Sequence, residues 1–98
     1  MRTVTVTATD IADGTYIGVE NLANCDGHID IAQDLGWVSF RSLKAAGRIT
    51  ARAGTGLRAG WGIRACEGIT AGGGISAGLG ISACGGITAG ESITAGGG

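Results

Sequence analysis

The sequence predicts an all-β chain: a short β-solenoid of triangular section, with about 18 residues per coil and an N-terminal β cap. Three observations lead there. A branched aliphatic residue recurs every six positions, at Leu57, Ile63, Ile69, Ile75, Ile81, Ile87 and Ile93. Two positions after each stands an alanine, from Ala59 to Ala95, with a polar residue between, so every unit carries the apolar–polar–apolar alternation of a short strand. A longer period overlies the six: "LRAGWGIRACEGITAGGG" (57–74) aligns with "ISAGLGISACGGITAGES" (75–92), pairing Trp61 with Leu79 and Cys66 with Cys84. Three units therefore make one coil, and the mostly glycine residues between strands suit tight corners.

Composition supports an ordered chain. Glycine reaches 21 of 98 residues without a proline, yet the chain is 44 % hydrophobic with a net charge of −1, unlike a linker or a disordered segment.

The elements follow in order. "RTVTVTA" and "TYIGVENLA" read as strands around the turn-like "DIADG", and residues 1–28 are expected to cap the first coil. The repeats are expected over 29–98. Ile29 and Ile31 open the inward pattern, followed by Leu35 and Trp37, Leu43 and Ala45, then Ile49 and Ala51. Two steps of eight, from 35 to 43 and from 49 to 57, imply two-residue corner insertions. The expected columns are Ile29/Ile49/Ile69/Ile87, Leu35/Leu57/Ile75/Ile93 and Leu43/Ile63/Ile81, with a core that narrows from its N-terminal end. The sequence is still in phase at "SITAGGG". Either it belongs to a longer solenoid or the end strands pair with another molecule, which singles out Ile87, Thr88, Ala89, Ile93, Thr94 and Ala95 for self-association.

The hexad-based coils of residues 29–98 resemble the left-handed β-helices of hexapeptide acyltransferases. Their short "GxIxA" units without loops also resemble bactofilins, bacterial polymer-forming β-helix proteins. The bactofilin resemblance implies compact coils, no catalytic loops and end-to-end assembly. The acyltransferase hexad places a small residue two before the aliphatic one, whereas here alanine follows it by two. No functional residue is carried over from either family.

Few residues could carry chemistry. The single histidine, His28, stands in "CDGHID" and could act as a base, with Cys25 as a nucleophile. No loop long enough to enclose a substrate follows it, so no catalytic residue is expected. "GTGLRAG" (54–60) lacks the spacing of a phosphate-binding loop. Three cysteines without a CxxC pair do not suit a disulfide framework or a zinc site, so no metal and no cofactor are expected. Cys66 and Cys84 should stack at one corner, one coil apart. Thr50, Thr70 and Thr88 should form an outward column, as β-propensity favours.

Charge is segregated. Residues 1–34 hold Asp10, Asp13, Glu20, Asp26, Asp30 and Asp34 against Arg2 alone. Residues 35–64 hold Arg41, Lys44, Arg48, Arg52, Arg58 and Arg64 and no acid. This reads as a basic belt around the first two coils, a docking surface for an acidic protein, with nucleic acid as an open alternative. No aromatic interleaving of the belt supports stacking of a single strand.

The expected function is non-enzymatic: a rigid structural rod that self-associates end to end. The alternatives are a small phage or mobile-element inhibitor or adaptor, binding through the cap or belt, and an acyltransferase-like enzyme. There is no secretory h-region and no run long enough to span a membrane, so a cytoplasmic protein without membrane contact is expected.

Overall fold

A computed structural model describes residues 3–18, 22 and 25–95. Arg2, Glu20, most of "VENLA" and the closing glycines lie outside the described residues. The chain winds as a β-solenoid of about 3 turns, roughly 19 residues apart. Among the described residues no helix is long and apolar enough to cross a membrane.

The first passage lays down β1 (Thr3–Val6), a short 3-10 turn (Ala8–Asp10), β2 (Ile11–Ala12) and β3 (Thr15–Tyr16). The second holds β4 (His28–Ile31), β5 (Gly36–Phe40) and β6 (Leu43–Ala45), and the third β7 (Ile49–Ala51), β8 (Thr55–Ala59) and β9 (Gly62–Ala65). Then come β10 (Ile69–Ala71), β11 (Ile75–Ala77) and β12 (Gly80–Ala83), and finally β13 (Ile87–Ala89) and β14 (Ile93–Ala95). Three sheets form three faces. Face A runs β1-β4-β7-β10-β13, face B runs β14-β11-β8-β5-β3-β2, and face C runs β12-β9-β6. Every pairing between strands of successive passages is parallel.

Two of the three predicted columns stand in register. Ile29, Ile49, Ile69 and Ile87 stack on face A, with Val4 beneath them. Leu43, Ile63 and Ile81 stack on face C. Ile29, Ile49, Ile69, Leu57, Ile75 and Ile63 are at most 1 % exposed. Each fully buried aliphatic side chain stabilises the fold by about 1.5–3 kcal/mol.

The third column differs from expectation. Val38, not Leu35, lies under Leu57, and Phe40 under Ala59. Trp37 points outward and is 40 % exposed, while Leu35 sits half-buried in the corner. The cause is the corner itself. Asp34 at φ 60° and Gly36 at φ 70° both take left-handed backbone, which lengthens the step into β5 and reverses its faces. The step from Ile29 to Val38 is nine residues and that from Val38 to Leu43 is five. The bulky second inward residues of this coil are therefore Ile31 and Phe40, and alanine follows from Ala45 onward, so the interior narrows as expected.

The N-terminal segment joins the ladder. β1 pairs with β4 over four residues, placing Val4 and Val6 inward beneath Ile29 and Ile31. β2 and β3 form a hairpin in which Asp13 (φ 51°) and Gly14 (φ 76°) supply the two left-handed residues of a tight Asp-Gly turn. Tyr16 leans on Phe40, with ring centroids 5.5 Å apart. Cys25 makes an isolated parallel bridge to Ala45 and is buried beneath face C.

Corners explain the glycines of the upper coils. A Cβ on Gly78 or Gly90 would collide with the carbonyl oxygen of Gly60 or Gly72 in the coil below. Successive corners lie backbone on backbone there.

Burial along the columns predicts position-dependent costs. Ile69→Ala should lower unfolding free energy by about 2–5 kcal/mol in urea titrations, whereas Ile93→Ala, at a site 47 % exposed, should cost less than about 1 kcal/mol.

Candidate functional site

Ladder register divides the six cations of the expected belt between two surfaces. Arg48 and Arg52 flank β7 on face A, among acids and His28. Arg52 is held bidentately by Asp30, with Nε donating to Oδ1 at 3.2 Å and Nη2 to Oδ2 at 2.9 Å. The hydrogen bond and charge of Asp30 raise the Arg52 guanidinium above its ordinary pKa. The Arg52 side chain is 59 % exposed, so solvent screens the pair and it adds little to stability.

His28 stands next to this pair. Its Nδ1 accepts a hydrogen bond from the Arg48 backbone N–H at 2.9 Å, which puts the imidazole proton on Nε2. Thr3, His28, Asp30, Arg48, Thr50 and Arg52 line a shallow groove of about 330 Å³. The Cys25 thiol faces the His28 carbonyl oxygen at 3.9 Å and lies at 3 % exposure in the core. The two residues thus meet through the thiol and the main chain, not through thiol and imidazole.

Of the other four, Arg41, Lys44 and Arg64 stand at the ridge between faces B and C or on face C, whereas the Arg58 guanidinium on face B turns toward Trp37 at the A/B end of that face. Lys44 and Arg64 are neighbours in register on face C, with Ser82 above them. Arg58 stands between Ser39 and Ser76 on face B. Arg41 lies at the ridge, where its carbonyl accepts the Trp61 N–H at 2.9 Å, and the Trp61 carbonyl accepts the Leu79 N–H at 2.6 Å. Trp61 is 61 % exposed and Leu79 53 %. Among the described residues no ion pair engages Arg41, Lys44, Arg58 or Arg64.

Two indoles stand on the same coils, Trp61 at the ridge between faces B and C and Trp37 at the A/B end of face B. Trp37 lies along face B over two glycines. A Cβ on Gly56 would approach its ring to 2.8 Å and one on Gly74 to 2.7 Å. The Arg58 guanidinium carbon sits 5.0 Å from the Trp37 ring centroid, a cation–π contact. Glycines at 56 and 74 leave the space this ring occupies.

One polar residue missed by sequence reading fixes the corner between faces A and B. Thr55 is fully buried, with its hydroxyl donating to the Ala32 carbonyl at 2.6 Å and accepting the Leu35 N–H at 3.1 Å. It satisfies two main-chain groups of the irregular corner below. The signal available was a threonine in the two-residue insertion before Leu57.

Thr50, Thr70 and Thr88 form the expected outward column on face A. Cys66 and Cys84 follow the register pair Ala65–Ala83 at one corner, both exposed and both free thiols. Among the described residues β12, β13 and β14 are each the last strand of their sheet. Ile87, Thr88 and Ala89 make up β13, and Ile93, Thr94 and Ala95 make up β14. Their register repeats that of the coil below residue by residue.

No protein-family model, curated protein or solved structure matches the chain.

The Thr55 bridge predicts a marked cost for an isosteric change. Thr55→Val should lose about 1–3 kcal/mol by denaturant titration, because it removes the partner of two part-buried main-chain groups. Thr70→Val, at an exposed rung of the threonine column, should change stability by less than about 0.5 kcal/mol.

Proposed function

We propose that this chain is a non-enzymatic structural protein, a rigid β-solenoid that self-associates through the edge formed by β12, β13 and β14. One observation carries the reading. The inward columns are sealed at Ile49, Ile69, Leu57 and Ile75, each fully buried, and open at that edge, where Ile87 is half-buried and Ile93 is 47 % exposed. Among the described residues no further strand pairs with β12, β13 or β14 on that side. A coil of a second copy in the same register would extend three ladders and cover the isoleucines together. That behaviour is the one the bactofilin resemblance implies.

Symmetry sets the product. An isologous contact between two edges closes as a dimer, and a head-to-tail contact runs on as a filament. The reading carries with it a reducing cytoplasm, in which Cys66 and Cys84 remain unjoined.

Sedimentation velocity on the 98-residue chain tests this. The expected result is a mass above the monomer that rises with concentration. Ile87→Lys combined with Ile93→Lys should return it to monomer with strand content retained by circular dichroism. A monomer at every concentration, or an assembly indifferent to both lysines, would overturn the proposal.

A further inference from the structure

We infer that the ridge between faces B and C is a docking surface for single-stranded nucleic acid, with Trp61 as the stacking platform and Arg41, Lys44 and Arg64 as phosphate contacts. Coil residues 58–64, "RAGWGIR", set a cation, an indole and a cation three residues apart. The fold bends that segment around the ridge, so Trp61 lies at the corner and Arg64 on face C, while the Arg58 guanidinium on face B lies against Trp37. Arg41 and Lys44 repeat the charge one coil below, about 4.8 Å away along the stack. Glycines flank the indole on both sides, and it is 61 % exposed.

Charge complementarity selects a polyanion. Arg41, Lys44 and Arg64 have no acidic partner among the described residues, while Arg52, on face A, is already paired with Asp30 and Arg58 lies against Trp37. The indole then selects among polyanions. An acidic peptide would satisfy the cations and leave the ring without a match. A base offers a π-face to Trp61 while its flanking phosphates meet the cations beside it. Shape selects further. Trp61 sits at the corner and Lys44 and Arg64 on one of the two faces that meet there, so a flat lipid surface or a rigid duplex does not follow from the cations onto the indole, whereas a flexible single strand can bend over the ridge.

The probe is a short oligothymidylate added to the full chain at low salt, with tryptophan emission and labelled-oligonucleotide anisotropy as readouts. Binding should quench emission, and log K should fall with log[salt] with a slope of roughly −2, as three phosphate contacts require. Trp61→Ala should abolish the quench and weaken binding about 5- to 150-fold, the loss expected from removing one stacked base. Trp61 is too exposed for this change to disturb the core. Arg64→Glu and Arg48→Glu change net charge equally but sit on different surfaces. Arg64→Glu should reduce the salt slope by about one, and Arg48→Glu should leave it unchanged. Absence of binding at low salt, equal effects of the two charge reversals, or full affinity in Trp61→Ala would each overturn the inference. Tighter binding of polyglutamate or of anionic lipid vesicles would overturn it too, and would assign the ridge to an acidic peptide or a membrane surface.

Discussion

Everything in this molecule depends on the parallel backbone ladder that joins each coil to the next. A strand satisfies its N–H and C=O groups only if the strand one passage later arrives directly above it. Coils of different length obey the same demand: Ile29, Ile49, Ile69 and Ile87 are separated by 20, 20 and 18 residues and still form one column. All surplus residues are expelled into corners. The left-handed backbone at Asp34, Gly36 and Gly54 lies at the corner between faces A and B, where the coils differ in length. The buried Thr55 belongs to the same place, supplying the hydrogen bonds that an irregular corner cannot make with its own main chain.

The ladder also limits what the interior can hold. Coils 4.8 Å apart place like residues against like, so the second inward position can be bulky only while its stack is wide. Ile31 lies under Ala51 and Phe40 under Ala59, and above them the alanines continue. Tyr16 fills the space beside Phe40 from the hairpin, which closes the wide end with aromatic surface. Outward positions carry no such constraint. The chain can therefore present Asp30 under Thr50, or Lys44 under Arg64, at no cost to the core.

From Leu43 onward the fold is legible in the sequence because period, phase and burial agree. At "DLGWVSF" they do not. Leu35 and Trp37 alternate as a strand should, and so do Val38 and Phe40 one position out of phase. Only the left-handed turn at Asp34 and Gly36 decides between them, and a one-residue slip exchanges inside for outside. The belt shows the same limit. The register of the repeats already sets Lys44 under Arg64 on one face and Arg48 and Arg52 around a neighbouring strand, as the ladder has them. The pairings of individual side chains, Arg52 with Asp30 and Arg58 with Trp37, depend on where the irregular corner of β5 falls and are not legible.

Rigidity gives the plain upper coils their value to the decorated lower ones. Long cations and an exposed indole lose side-chain freedom when they bind, a cost of about 0.5–1.5 kcal/mol each. The Cα atoms of Arg64 and Arg58 sit on ladder rungs closed on both sides, and Lys44 is paired with Arg64 above it, so main-chain ordering adds little further. Trp37 is held more tightly still, pressed into the space left by Gly56 and Gly74 with Arg58 beside its ring. Such a surface keeps its spacing whether the edge strands are free or covered, because the ridge cations lie in coils below that edge. Self-association would then multiply identical ridges along one axis, turning a set of weak contacts into a multivalent one.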